Sequence, residues 1–255
     1  MQENNNNVWI AGSIVIAGLL IAGAVYFTRD SGSSSEDFTL RYTQFMNKVN
    51  ARFSSIRPTS ENEDINILRA PSEKDYIRGS LDAPIIIVEY SDSECPFCGM
   101  LHKNLTEVVA MYEGKVAWVY RHLPLVSLHK KAIIEAHAME CAGELGGNEK
   151  FWEYADSVYS MTNGNDALDL NQLPVIAKNI GLNVKDFNKC MDSERHVAKI
   201  EADYAEVLNA TAGMVGTPFN VIFTKDGSRI VASGALPVPN WINIIDNLLS
   251  AGQVE

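Results

Sequence analysis

Two cysteines separated by two residues follow a β-branched run, and this junction constrains the fold more than any other part of the chain. The run is IIIVEY at residues 85–90, and CPFC occupies residues 95–98. A continuous β-branched segment predicts a strand buried on both faces, as in the centre of a parallel or mixed sheet. The cysteine pair therefore follows the carboxyl end of a central strand.

The segments after the cysteine pair indicate an α/β domain. Apolar residues recur at helical spacing over residues 99–112, and VAWVY at residues 116–120 predicts a second strand. Residues 127–212 show several helical patterns but no convincing strand, so we interpret them as a helical insertion. These patterns together predict a strand-helix-strand unit followed by a block of helices.

The C-terminal part of the chain predicts a hairpin and a closing helix. Short strands at residues 219–223 and 230–232 are joined by a turn that contains Asp226-Gly227. Pro239 begins an amphipathic segment that ends before Gly252. The order β-α-β, helical insertion, β-β-α is the pattern of a thioredoxin-like α/β fold interrupted by helices.

An uncharged apolar run lies near the N-terminus, after a tail at residues 1–7. Residues 8–27 contain no charged side chain, and twenty helical residues rise about 30 Å, the thickness of a bilayer core. We predict a transmembrane anchor here. A cleaved signal peptide is the alternative, because Ala22-Gly23-Ala24 offers a small-x-small site, although the tail lacks positive charge.

The rest of the chain divides into a linker and a folded domain. Residues 28–70 begin with a Ser-, Gly- and acid-rich tether and continue as a weakly amphipathic helix, a spacer or packing arm. Residues 71–255 form the thioredoxin-like domain, with its insertion at about 127–212. The net charge of −11 is spread without a basic stripe, which argues against nucleic acid as a partner.

The spacing of the cysteine pair suits thiol-disulfide exchange. If Cys95 lies at the helix N-terminus, unpaired N–H groups and the helix dipole stabilise its thiolate and lower its pKa. Cys98 lies one turn along the same face, where it can attack a mixed disulfide formed at Cys95. Pro96 is tolerated in the first turn, where its missing N–H costs nothing.

Two other uses of the pair are weaker. A zinc site needs four ligands, usually a second CxxC or a pair of histidines at short spacing, and the sequence offers neither. We therefore expect no metal and no cofactor. A purely structural disulfide remains as an alternative, although a Pro-Phe bridge after a buried strand is an unusual choice for one.

Two further positions bear on the chemistry of the pair. Glu89 stands in the apolar strand six residues before Cys95; burial would raise its pKa and make it a proton relay for the resolving thiol. A glutamate that reaches solvent is the alternative. Pro218 precedes the strand at 219–223, and in the cis form it would present the Thr217 backbone to a substrate peptide, whereas a trans turn is the alternative.

The remaining cysteines, Cys141 and Cys190, lie in predicted helices of the insertion. If they are bonded, they close a loop of about 50 residues, which stabilises the fold by roughly 4 kcal/mol in the chain-entropy model. Two buried free thiols are the alternative.

These motifs, taken in order, resemble the DsbA-like family of thiol:disulfide oxidoreductases, in a membrane-tethered form. The resemblance runs from about residue 77 to residue 249. It rests on the following set: Gly79-x-x-Asp82-Ala83-Pro84, Glu89-Tyr90-Ser91-Asp92, Cys95-Pro96-Phe97-Cys98, Arg121-His122-x-Pro124-Leu125, Phe151-Trp152-Glu153, Cys190 and Gly216-Thr217-Pro218-Phe219.

The resemblance implies a role for each of these positions. Cys95 would be the exposed nucleophile, Cys98 the resolving thiol and Glu89 the buried acid. A cis Pro218 and Thr217 would form the substrate-contacting loop opposite the pair, and we place Phe97 and Pro96 on the same substrate-binding surface. Some relatives carry a second disulfide that joins helices of the insertion, and the positions of Cys141 and Cys190 resemble it.

The expected function is an extracytoplasmic oxidase that introduces disulfides into secreted or surface proteins and is reoxidised by a membrane partner. Two cysteine pairs favour an oxidising compartment, whereas Arg29 after the apolar run weakly favours a cytoplasmic domain. Phe97 departs from the histidine of some strongly oxidising members. The alternatives are a reductase or isomerase of the same fold and a non-catalytic tethered module that binds peptide or metal.

Overall fold

A computed structural model of the chain describes residues 35–59 and 63–251, with backbone alone for residues 35–41. The predicted tail at 1–7 and anchor at 8–27 lie outside these residues. Among the helices of the two described segments, none is both long enough and apolar enough to cross a bilayer.

The described residues contain one five-stranded mixed sheet, and the sequence predicted four of its strands. Its order is β1-β3-β2-β4-β5, and β2 runs parallel to β3 while the other neighbours are antiparallel. All residues of the two central parallel strands are buried. The strands are β1 (Tyr76–Arg78), β2 (Ile85–Ser91), β3 (Val116–His122), β4 (Phe219–Thr224) and β5 (Arg229–Val231).

Strand register brings the two ends of the candidate site together. The antiparallel pairing of β2 with β4 sets Tyr90 opposite Phe219. The end of β2 therefore lies beside the start of β4, and the residues just after β2 face those just before β4. Cys95 and Pro218 become neighbours through this register although 123 positions separate them in the chain.

The described residues form seven α-helices, and the four between Ala132 and Ala210 make up the predicted helical insertion. Their bounds are α1 (Ser35–Ser55), α2 (Pro96–Met111), α3 (Ala132–Met161), α4 (Leu173–Asn179), α5 (Val184–Met191), α6 (Val197–Ala210) and α7 (Val238–Ala251). Helix α3 is kinked at Gly147, whose φ of 74° is accessible to glycine at little cost. Asn183 caps α5, because its side chain accepts hydrogen bonds from the N–H groups of Lys185 and Asp186.

The second half of α1 belongs to the packed structure. Val49 and Phe53 are buried in an apolar cluster with Ile133 of α3 and Ile200 of α6. Of the two roles that the sequence left open for this helix, the packing arm fits this half. The boundary at residues 70 and 71 remains a prediction.

The sequence did not predict strand β1. It has three residues, all half-buried, and pairs antiparallel with β3 at the sheet edge, Tyr76 opposite Tyr120. Such a short edge strand offers neither alternation nor a β-branched run for a pattern to detect. Helix α2 begins at Pro96, which is the first-turn position that the sequence analysis gave this proline.

Cys141 of α3 and Cys190 of α5 form a disulfide, with Cα atoms 5.8 Å apart and both residues fully buried. The free-thiol alternative is thus wrong for this structure. The bond closes a loop with a sequence separation of 49, and loop closure of that length stabilises a chain by about 4 kcal/mol.

We expect the double substitution Cys141→Ala/Cys190→Ala to lower the free energy of unfolding by about 4 kcal/mol, because the unfolded chain regains its loop entropy. Urea denaturation followed by circular dichroism measures this change. The unsubstituted chain treated with a reductant is the matched control and should lose a similar amount. A loss below about 1 kcal/mol in both samples would contradict the prediction.

Candidate active site

Cys95 is the N-cap residue of α2. Its φ and ψ of −80° and 120° are extended, Pro96 occupies the first helical position, and the Gly99 N–H donates to the Cys95 carbonyl at 3.1 Å. The backbone N–H groups of Phe97 and Cys98 act on the Cys95 sulfur. The helix therefore directs its unpaired N-terminal donors at the first thiol, as predicted.

The two thiols have opposite acidities. Hydrogen bonding from the Cys98 thiol, then from Thr217 and the N–H groups of the first turn, outweighs burial and lowers the pKa of Cys95 to about 6. Burial raises the pKa of Cys98 well above its usual value, and Cys98 has no exposed surface. The predicted direction for Cys95 is confirmed, although the largest single cause is the partner thiol rather than the helix N-terminus.

Cys95 is less accessible than the resemblance implied. The residue is only 6% exposed, so the expectation of an exposed nucleophile is wrong. The Thr217 carbonyl lies 3.4 Å from the Cys95 sulfur, and Asn165 N–H donates to the Glu94 carbonyl at 2.6 Å. The loop at Thr217 therefore lies against the thiol, and the loop at Asn165 is held at the residue before Cys95.

Solvent still reaches Cys95 through a cleft of about 220 Å³. The cleft is lined by Cys95, Pro96, Met100, Tyr159 and Asn163, among others. An approaching substrate thiol can enter here or displace the loop at Thr217.

Glu89 is fully buried beneath the pair. Its carboxylate accepts hydrogen bonds from Ser91 Oγ at 2.6 Å and from Trp118 Nε1 at 2.9 Å. Burial outweighs both hydrogen bonds and raises the pKa of Glu89 to about 7. The predicted burial is confirmed, and the glutamate changes charge near neutral pH.

A chain of hydroxyl groups connects Glu89 with its surroundings. Ser91 Oγ lies 3.0 Å from Tyr159 OH, and Tyr159 OH lies 2.9 Å from Tyr120 OH. The Ser91 hydroxyl also acts on the Cys98 thiol as a hydrogen-bond partner. Ser91 therefore stands between the Glu89 carboxyl and the resolving thiol.

The sequence analysis assigned no role to Ser91 or Tyr159. Ser91 follows Glu89 by two positions in a strand, which places both side chains on one face, and that spacing is a usable signal. Tyr159 comes from α3, far along the chain, and nothing in its sequence surroundings indicates the contact.

Asp92 fixes the loop that leads to Cys95. Its carboxylate accepts from the Glu94 N–H at 2.8 Å and the Leu125 N–H at 2.7 Å, and its Oδ2 lies 2.9 Å from His129 Nδ1. This hydrogen bond raises the pKa of His129. The sequence motif included Asp92, but the contact with His129 was not predicted.

The Thr217–Pro218 peptide bond is cis, and Pro218 is buried beside the cysteine pair. The cis alternative is therefore confirmed. Phe97 is 59% exposed and Pro96 is half-buried. The structure thus brings together all seven residues that the sequence grouped at this site, namely Glu89, Cys95, Pro96, Phe97, Cys98, Thr217 and Pro218.

A mixed sheet, a CxxC pair at a helix N-terminus and a cis proline opposite it define a thiol:disulfide oxidoreductase of thioredoxin fold. Residues 71–228, more than half of the chain, match the family model described as thioredoxin. The chain belongs to the thioredoxin family, and it is a protein thiol:disulfide oxidoreductase.

Solved structures of DsbA-type proteins are similar to this chain. Wolbachia pipientis α-DsbA1 is 26% identical, with a TM-score of 0.64, covering 74% of this chain and 98% of that one. Pseudomonas aeruginosa DsbA2 is 27% identical, with a TM-score of 0.57, covering 71% of this chain and 96% of that one.

A curated relative matches over a shorter length. The Na(+)/H(+) antiporter NhaA 1 of Mycolicibacterium vanbaalenii is 32% identical over 146 residues, which are 55% of this chain and 22% of that protein. The chain spans about a fifth of the length of that relative.

Proposed function

We propose that this oxidoreductase works as an oxidase outside the cytoplasm, where it introduces disulfides into secreted or surface proteins. The contrast in acidity between Cys95 and Cys98 carries the proposal. An acidic first thiol stabilises the dithiol form, and a pair whose dithiol form is stabilised gives up its disulfide readily.

The first step is attack by a substrate thiolate on Cys95 of the Cys95–Cys98 disulfide. A mixed disulfide forms between substrate and Cys95, and the Cys95–Cys98 bond breaks with its electron pair on Cys98. The Cys98 thiolate is buried and has a raised pKa, so it must take a proton as it leaves. Glu89, linked to it through Ser91, supplies that proton.

The second step releases the oxidised substrate. A second substrate thiolate attacks the substrate sulfur of the mixed disulfide, the substrate disulfide forms, and Cys95 leaves as a thiolate. With a pKa of about 6, Cys95 is a good leaving group at neutral pH. The substrate has lost two electrons, and the cysteine pair has gained them.

The reduced pair must pass its two electrons to an oxidant before the next cycle. We propose a membrane partner of the quinone-linked type, which the predicted anchor at residues 8–27 would keep within reach of the domain. The Cys141–Cys190 disulfide supports an oxidising compartment, because such bonds are rare in the cytosol.

The strength of the oxidant can be bounded from the pKa of Cys95. A pKa of about 6 gives roughly ten thiolates for each thiol at pH 7, and a tenfold change in equilibrium constant corresponds to about 30 mV. That shift is modest compared with the roughly 150 mV between thioredoxin and DsbA. A mild oxidant fits best, and a reductase or isomerase is the second candidate.

The reduction potential against glutathione, measured on the purified chain, tests this proposal. A potential near −120 mV, as in DsbA, supports the oxidase, and one near −270 mV, as in thioredoxin, supports the reductase. Oxidase activity is measured by refolding of a secreted protein whose native disulfides have first been reduced. If the oxidised chain fails to form disulfides in that substrate in glutathione buffers poised above about −200 mV, the proposal is overturned.

We expect Phe97→His to make the pair more oxidising. Phe97 is exposed between the two cysteines, and a protonated imidazole there would stabilise the Cys95 thiolate by charge attraction. The potential should rise by about 30 mV for each unit by which the pKa of Cys95 falls. Redox titration and thiolate absorbance against pH measure the two quantities on one sample.

Met111→His is the matched control for this substitution. Met111 is 49% exposed and is the last residue of the same helix, so its imidazole lies at the opposite end of the helix from Cys95. It should change the potential less than Phe97→His. An unchanged or lower potential in Phe97→His refutes the prediction.

A further inference from the structure

Three possible metal ligands meet at the Cys141–Cys190 disulfide, and a fourth, His137, lies beside one of its sulfur atoms. The two sulfur atoms and a ring nitrogen of His196 all lie within 4.8 Å of one another. His137 Nε2 lies 3.9 Å from the Cys141 sulfur, and the rings of His137 and His196 have centroids 5.7 Å apart. Two thiols and two imidazoles are the donor set of a Cys2His2 site.

The separations suit a small tetrahedral ion once the disulfide is open. Zinc bonds of about 2.3 Å to sulfur and about 2.0 Å to nitrogen place the ligand atoms about 3.3–3.8 Å apart. The two sulfur atoms and the His196 nitrogen, within 4.8 Å of one another, reach those separations by small side-chain movements. His137 lies outside that group and approaches the Cys141 sulfur to 3.9 Å, so its ring must move farther inwards. Their helices already hold the two cysteine Cα atoms 5.8 Å apart.

Burial and charge favour the same ion. Cys141, Cys190 and His137 have no exposed surface. Two thiolates, two neutral imidazoles and one Zn²⁺ carry no net charge, so the loaded site can be buried without an unpaired charge. The side chain of His196 is 17% exposed, which leaves a route from solvent to the site.

A group outside the cluster can orient the His196 imidazole. His196 Nε2 lies 2.8 Å from Glu144 Oε2, and a carboxylate at one ring nitrogen leaves the other for a metal. His137 Nδ1 is buried and makes no hydrogen bond with the disulfide formed.

We propose that the reduced form of this cluster is a zinc site, with Cys141, Cys190, His137 and His196 as ligands. The disulfide and the zinc site are then alternative states of the same four residues. A dithiol reductant passes two electrons and two protons to the disulfide and is itself oxidised to a disulfide. Zn²⁺ binding then releases the two thiol protons.

This inference departs from the sequence-based expectation of no metal, which treated Cys141 and Cys190 as single cysteines and the histidines as scattered. His137 and Cys141 are four positions apart in α3, so they share a helix face. Their meeting with Cys190 and His196 depends on how α5 and the start of α6 pack against α3, which spacing alone does not show.

The test uses the full chain carrying Cys95→Ser and Cys98→Ser, so that the CPFC dithiol cannot bind metal. The protein is reduced with a phosphine, freed of reductant without oxygen, and titrated with Zn²⁺ against a chromophoric chelator. We expect one tightly bound zinc per reduced chain and none when the disulfide is intact. Co²⁺ in place of Zn²⁺ should give thiolate charge-transfer bands and the visible bands of a tetrahedral ion.

His137→Gln and His196→Gln should each weaken zinc binding at least about tenfold. His102→Gln is the matched control: His102 lies outside the cluster, so this substitution should leave the zinc affinity unchanged. Zinc should also raise the thermal midpoint of the reduced chain. No zinc bound by the reduced chain, equal binding with the disulfide intact, or no effect of both histidine substitutions would overturn the proposal. If those variants fail to fold, a Co²⁺ spectrum of the reduced chain without tetrahedral bands would overturn it.

Discussion

Oxidised glutathione should label Cys95 in the Cys98→Ser chain at least about 100-fold faster than it labels Cys98 in the Cys95→Ser chain. The Cys95 thiolate attacks glutathione disulfide, a mixed disulfide forms, and glutathione thiolate leaves. With a serine in place of the resolving cysteine, the mixed disulfide accumulates. Both substitutions should also abolish oxidase activity, because neither chain can form the Cys95–Cys98 disulfide.

Ionisation accounts for only a small part of that difference. At pH 7 about nine-tenths of Cys95 is thiolate, against about 1% for an ordinary pKa of 9.0. The lower basicity of the Cys95 thiolate reduces its reactivity about 20-fold for a Brønsted coefficient near 0.45, so the net gain is about fourfold. The rest of the expected 100-fold difference in labelling rate must come from how easily glutathione reaches each sulfur, because Cys98 has no exposed surface and Cys95 opens onto the cleft.

Mass spectrometry of timed, acid-quenched samples measures the two labelling rates, with the chain that carries both substitutions as the blank. The rate for Cys95 should rise with pH and then level off once the thiolate predominates, because the thiolate is the reactive form. Equal labelling of the two single variants would show that the assigned nucleophile is wrong.

The features that could be predicted from the sequence are those with a local physical cause. The β-branched run specifies β2, and Pro96 at the first helical position fixes where α2 begins and therefore where Cys95 lies. Asp226 and Gly227 specify the hairpin between β4 and β5, with Gly227 at a φ of 87°. Each depends on neighbours within a few residues.

The features that could not be predicted depend on packing between distant segments. Tyr159 of α3 contacts Ser91 of β2, and His129 contacts Asp92. The limited exposure of Cys95 has the same origin, because the loop at Thr217 that lies against it comes from elsewhere in the chain. The sequence specifies the chemistry of the pair, whereas these contacts specify its surroundings.

Glu89→Gln should slow the reaction of the oxidised pair with substrate dithiols by about 100-fold, the lower end of the range for loss of a general acid. Glutamine has nearly the same shape and stays buried, but it cannot transfer a proton to the departing Cys98 thiolate. Because the pKa of Glu89 is about 7, the rate in the unsubstituted chain should fall as pH rises through about 7. That fall should be absent in the variant.

The same substitution should make the fold more stable, which separates a lost proton relay from a damaged structure. The pKa of Glu89 is raised from 4.5 to about 7, so the unfolded chain releases this proton at lower pH than the folded chain. Stability from this group is complete below pH 4.5 and decreases as pH rises towards about 7. At pH 8 a neutral glutamine should therefore recover up to about 3 kcal/mol.

Stopped-flow fluorescence and urea denaturation at pH 5 and pH 8 measure the two effects. Glu107→Gln is the control, since Glu107 is an exposed carboxylate of α2 and its replacement should change neither quantity. A variant that is slower and also less stable at pH 8 would point to structural damage. An unchanged rate would remove Glu89 from the mechanism, because a buried carboxyl with no effect on the departure of Cys98 has no part in its protonation.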